Sequence, residues 1–197
     1  MDVSVTPMDV SSGERAEWVQ AWAAVVAGLV AIVVLAVAYS EFRHTKRVSK
    51  VEKTQVLWER FNSLEMLSAR AQAAKLHPKG SEPLFEVFSF FESLARADEL
   101  EILAPDDVDY YFRDYLLTYW YAFNDWVKTQ RVQNGEDPSK GGKGQLYGGY
   151  QRLVAELLRQ PGVHPPTNAD IENFLKFEQN RFADAKAVRV EAILSAK

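Results

Sequence analysis

The chain has no cysteine, which excludes disulfides, Cys-ligated zinc, iron–sulfur clusters and thiol nucleophiles. It also lacks an excess of positive charge: 23 Lys+Arg stand against 27 Asp+Glu, a net charge of −4. A whole-chain electrostatic case for nucleic acid is therefore missing. No stretch alternates apolar and polar residues cleanly between turn signals, so no strand is expected. At 197 residues the chain has room for one domain and an appendage, not for two full domains.

Charge is wholly absent from Trp18 to Ser40, WVQAWAAVVAGLVAIVVLAVAYS. As a helix those residues would extend about 35 Å, enough for a hydrocarbon core of about 30 Å. Trp18 and Trp22 stand at one end, Tyr39 and Phe42 at the other, as suits the headgroup zone. The run is too long and too evenly apolar for a buried helix of a soluble protein. Ala36-Val37-Ala38 fits a signal-peptide cleavage pattern, but the preceding residues are acidic (Asp2, Asp9, Glu14 and Glu17 against Arg15), the reverse of a signal peptide. The expected division is a short extracytoplasmic tail over 1–17, a transmembrane helix over 18–42 and a cytoplasmic helical domain over 43–197.

Arg43, Lys46, Arg47, Lys50 and Lys53 follow the span, whereas one arginine precedes it. This asymmetry predicts an N-terminus outside and a cytoplasmic C-terminal part, in a single-pass protein of the cell inner membrane. The same five residues suit anionic lipid headgroups, at about 1 kcal/mol each near the surface. The patch lacks interleaved aromatics, so no nucleic-acid partner is expected. Small residues spaced along the span, Ala24, Gly28 and Ala31 among them, give a face on which helix backbones can approach. A homo-oligomer is one expectation from that face.

Past Ser40 the tail's surplus of acid disappears. Without Arg15 and the acidic Asp2, Asp9, Glu14, Glu17 and Glu41, 22 basic and 22 acidic residues remain. The fold expected is all-α, the membrane helix continuing into a cytoplasmic bundle of about five helices. The first runs on from Arg43 to about Leu76 and ends at His77-Pro78-Lys79-Gly80, where proline cannot continue a helix. A second starts with Ser81 as cap and Pro83 in its first turn. Its core stripe is Leu84, Val87, Phe88, Phe91, Leu94 and Ala95, at helical spacing, and it extends to about Leu103. Pro105 opens a strongly aromatic third helix with Asp106 and Asp107 in the dipole-favoured first turn. Asn134–Gly144 is a loop by composition. A helix over about Gln145–Gln160 follows, and Thr167 with Asp170 makes a capping-box-like start to a last helix reaching about Ser195.

Few residues suggest chemistry. Gly142-Lys143-Gly144 lacks the spacing and the preceding strand of a phosphate-binding loop. His44, His77 and His164 form no metal-ligand pattern, and none is expected to leave the surface. Asp107 and Asp114 are the nearest approach to paired carboxylates, and the helix dipole explains most of the acidic residues there. No catalytic residue, metal or cofactor is expected, nor an enzyme. Glu92, inside the apolar run Phe90-Phe91-Glu92, should need a basic partner if buried. Arg113 is taken as that partner, with Arg70 and Arg96 as alternatives. On the third helix Tyr110, Tyr111, Trp120 and Tyr121 are the candidate partner-binding residues.

Several of these features occur together in one order. A single N-terminal span is followed by Val56-Leu57-Trp58-Glu59-Arg60-Phe61, then FSFFESLARADEL. A Pro/Asp start then leads to Tyr119-Trp120, and Leu146-Tyr147 precedes a helix. Over about residues 18–158 the chain resembles the DUF4760-like single-pass membrane proteins of bacteria and their prophages. That resemblance implies an inner-membrane protein with a helical cytoplasmic domain and carries no catalytic residues. It also implies a prophage or phage-defence setting, such as superinfection exclusion.

The functional expectation is a membrane-anchored helical protein-interaction module whose partners are the lipid bilayer and a protein of unknown identity. The alternative is a membrane-tethered sensor or signalling subunit that binds a small ligand between helices. A pocket around an unpaired Glu92 carboxylate would favour it.

Overall fold

A computed structural model describes residues 12–80, 82–138 and 144–195. They form six α-helices: α1 (Ser12–Phe61), α2 (Leu64–Lys75), α3 (Glu82–Glu99), α4 (Pro105–Gln133), α5 (Gly148–Leu157) and α6 (Asn168–Ser195). No strand occurs among the described residues. The chain divides into two compact units, one ending at Val48 and one beginning at Ser49.

The first unit is the N-terminal part of α1. From Val25 onward this helix contains an 18-residue window of mean hydropathy 2.3, none of it buried within the chain. It is therefore long and apolar enough to cross a membrane. Valines and leucines are exposed around its whole circumference, and so are Trp18, Trp22, Tyr39 and Phe42. Two basic side chains lie back over these rings: Arg43 sits 5.6 Å from the Tyr39 centroid and Lys46 sits 4.5 Å from Phe42.

The second unit is a bundle. α2 packs on α3 and α6, α5 on α3 and α4, and α6 also on α4. α3 supplies the stripe expected of it, with Leu84, Val87, Phe88, Phe91, Leu94 and Ala95 all buried. α4 adds Val108, Phe112, Leu116, Tyr119, Phe123, Trp126 and Val127. The core is mainly aromatic. Phe61 stacks on Phe90 at 5.0 Å, Tyr119 on Phe123 at 5.9 Å, and Phe91 meets Tyr150 at 5.0 Å. Each fully buried ring of this size contributes roughly 1.5–3 kcal/mol.

Three of the expected helices have different boundaries. The helix leaving the first unit stops at Phe61 instead of running to Leu76. Asn62 donates its amide to the Trp58 carbonyl at 2.7 Å. Ser63 takes an extended conformation and its hydroxyl accepts from the Met66 N–H at 3.2 Å. Two short polar side chains thus offer the backbone partners outside the helix ladder, and a new helix begins. Beyond α1 the bundle is made of five helices, α2 to α6, in keeping with the number expected. α3 also ends earlier than expected, at Glu99, and α5 is shorter at both ends. Ser81, the expected cap of α3, lies outside the described residues.

Candidate functional site

The most concentrated chemistry in the bundle is a buried charge network that joins α2, α4 and α6. Arg70 is fully buried and Glu178 is 1% exposed. The Arg70 Nε donates to one Glu178 oxygen and its second terminal nitrogen to the other, both at 2.5 Å. Its remaining terminal nitrogen donates to the Phe61 carbonyl at 3.0 Å, which is otherwise a loose end of α1. The guanidinium also lies 4.0 Å from the Phe61 ring centroid and 4.8 Å from that of Tyr115. Tyr119 donates its hydroxyl to Glu178 at 3.0 Å. A neighbouring arginine, Arg181, donates to the Tyr115 hydroxyl at 2.7 Å and to the Asn62 side-chain oxygen at 2.6 Å. α6 therefore holds the α1–α2 junction through two arginine contacts.

Burial alone would lower the Arg70 pKa, but hydrogen bonding and the Glu178 charge hold it above its ordinary value. Burial, reinforced by the Glu178 carboxylate, pushes the Tyr119 phenol well up. Each of the three Arg70 nitrogens and both Glu178 oxygens have a partner within this buried network. The network positions helices.

Glu92 has a different role from the one expected. It does not pair with Arg113. Its two oxygens accept from the Gly149 N–H at 3.1 Å and the Tyr150 N–H at 2.8 Å, the first turn of α5. The residue before that helix, Tyr147, has a left-handed backbone and gives no side-chain cap, so a carboxylate from α3 supplies one. Gly149 makes room for it, since a Cβ there would lie 2.7 Å from the Glu92 Oε1. Arg113 forms its ion pair with Asp109, four residues back on α4. A carboxylate in an apolar run pointed correctly to a needed partner, but backbone N–H groups 57 and 58 residues away leave no local pattern.

A cavity of about 360 Å³ lies beside this cap, lined by Glu92, Arg96, Glu99 and Arg152 among others. Arg152 is held by Glu99 at 2.9 Å, and the oxygens of Glu92 are already engaged. The unpaired carboxylate that a ligand pocket would have offered is not there.

The four candidate aromatic residues fall into two pairs. Tyr110 is 82% exposed and Tyr111 36%. Their rings meet edge-on at 5.0 Å, and Tyr111 leans on Trp58 at 5.3 Å. Trp120 and Tyr121 are instead half-buried against the core, Trp120 edge-on to Tyr150 at 5.3 Å. The expected surface thus narrows to Tyr110 and Tyr111.

Among the remaining candidates, Arg43, Lys46, Arg47 and Lys53 are exposed and Lys50 is half-buried. Gly28 and Ala31 are exposed, with nothing within 4 Å of a Cβ placed on Gly28. The side chain of Ala24 lies outside the described residues. His77, expected on the surface, is partly buried: its Nε2 lies 3.1 Å from the Ala122 carbonyl and its ring edge-on to Phe123. No group of three His, Asp or Glu side chains among the described residues could hold a metal ion.

Glu178 is the residue that sequence reasoning missed. Ile171, Phe174, Leu175 and Phe182 set an apolar stripe, and position 178 falls on it. A lone carboxylate on such a stripe is the visible sign of a buried pair.

Comparison with family models, with curated proteins and with solved structures found no match to this chain.

Proposed function

We propose that this chain is a membrane-anchored helical interaction module. One helix crosses the bacterial inner membrane with its N-terminus outside. The bundle lies on the cytoplasmic side and engages a protein partner at the Tyr110–Tyr111 end of α4. The observation that carries this is the apolar stretch of α1, buried nowhere within the chain. In water that surface would stay hydrated at a cost of about 25 cal/mol per Å². The basic run Arg43–Lys53 supports the orientation and a contact with anionic headgroups. Tyr110 supports the partner face: a ring this exposed contributes little to the fold, and tyrosines are enriched where proteins meet. Self-association of the span through Ala24, Gly28 and Ala31 accompanies the proposal. The prophage or phage-defence setting enters through the family resemblance alone. The proposal includes no reaction.

A photo-crosslinking side chain in place of Tyr110 tests it in cells. A discrete protein adduct is expected there and not at exposed Lys128 on the same helix. Equal labelling at both positions would remove the tyrosine face from the proposal. Protease added outside intact cells should leave the bundle whole, and its digestion would reverse the orientation.

A further inference from the structure

A second open surface of the bundle is not on α4. It lies between α2 and α3 and is closed along one side by α6, with a volume of about 930 Å³. That is within the range of ligand and peptide sites, roughly 300–1,000 Å³. Leu64 of α2, Phe85 of α3 and Phe182 of α6 give it an apolar floor. Phe85 is 40% exposed yet fixed in place, edge-on to Trp126 at 4.8 Å. A held ring of this kind loses little freedom when something covers it. The rim is acidic. Glu65, Glu82 and Glu86 line the groove, against the single base Lys186. All three carboxylates are on exposed residues, and no ion pair joins them among the described residues.

Helix dipoles account for Glu65 and Glu82, which sit in the first turns of α2 and α3. They do not account for Glu86, a turn further along α3. Nor do they explain why the acidic turns of two helices converge on one apolar trough while the residues from 43 onward balance to zero charge. We infer that this groove docks a basic amphipathic helix of a protein partner, its apolar side on Phe85 and Phe182 and its Lys or Arg side chains on Glu65, Glu82 and Glu86. That is the helix-in-groove mode of recognition, with complementary charge setting partner choice and encounter rate. The inference rests on the interaction-module reading but not on the tyrosine face, since the groove shares no residue with Tyr110 and Tyr111.

The test uses the full chain in neutral detergent micelles and a labelled synthetic amphipathic helix of leucine and lysine, with a leucine–glutamate helix as counterpart. Fluorescence anisotropy should show saturable binding of the basic helix alone, weakening as salt rises. The paired change Glu82→Lys and Glu86→Lys should weaken it by roughly tenfold or more. Ser68→Trp, which fills the groove without touching its charge, should also abolish binding. Tyr110→Ser should leave it intact, which separates a failure of the groove from a failure of the tyrosine face. Circular dichroism checks that each variant stays folded. Equal binding of the two peptides, or binding that survives both the charge reversal and Ser68→Trp, would overturn the inference. So would binding of neither peptide alongside dimerisation that Ser68→Trp abolishes, which would give the groove to a second copy of the chain.

Discussion

Arg70 and Glu178 lie 108 positions apart in sequence, yet they face each other with two parallel hydrogen bonds of 2.5 Å and almost no solvent exposure. The two charges were taken out of water together, so neither can be lost alone without stranding the other. Glu178→Ala should cost about 3–5 kcal/mol of bundle stability. Replacing both residues by methionine should cost much less, because no buried charge is left behind. Denaturant unfolding of the single and double variants measures this. A double variant that loses the sum of the two single losses would show that the pair is not coupled.

Glu92 and Arg113 give a contrast between two acid–base roles. Glu92→Ala removes the side-chain cap that α3 gives to α5 and should cost about 0.5–2 kcal/mol. Arg113→Ala breaks a partly exposed pair within one helix and should change stability far less. A strong coupling between the two positions in a double-mutant cycle would contradict the contacts described.

Gly149 and Gly28 should respond in opposite ways. Gly149→Ala puts a methyl group against the Glu92 carboxylate and should destabilise the bundle. Gly28 meets open space on α1, so Gly28→Leu should leave bundle stability unchanged. If the span self-associates along that face, the same change should weaken it, read by energy transfer between labelled copies in a bilayer.

Two pH effects follow from buried phenols and an exposed cap. Burial pushes the phenols of Tyr119 and Tyr150 well up. In the unfolded chain they ionise near the ordinary value of about 10. Their contribution to stability is complete below that value and is lost as pH rises through the folded one. Ionisation of these two phenols should therefore coincide with alkaline unfolding, followed by tyrosinate absorbance and circular dichroism together. The reverse holds for Asp170. Hydrogen bonds from the Thr167 hydroxyl and backbone hold its carboxyl below the usual range. Its contribution is present above the ordinary aspartate value and lost as pH falls through the folded one. Amides at the start of α6 should accordingly lose protection in acid, measured against their intrinsic exchange rate at each pH.

The legible parts of this chain were those whose environment repeats along the sequence. A charge-free run long enough for lipid needs no tertiary partner to be recognised. The α3 stripe and the Thr167–Asp170 cap follow from helical spacing, and the cap forms as expected: Asp170 accepts from the Thr167 N–H at 2.8 Å, and Thr167 accepts from the Asp170 N–H at 3.2 Å. What stayed hidden depends on contacts across the bundle. The break at Asn62–Ser63 interrupts an otherwise unbroken apolar period. Glu92 finds backbone donors on α5, and Trp120 finds Tyr150, neither of which spacing can show. The acidic groove also joins three helices that are separate in sequence.

The most direct measurement is extraction of membranes from cells expressing the full chain. Alkaline carbonate strips peripheral proteins and leaves spanning helices behind. The chain should remain in the membrane pellet and be released only by detergent, and a Leu29→Arg plus Val33→Arg variant should be lost from that pellet. Release of the unaltered chain by carbonate would contradict a membrane-spanning α1.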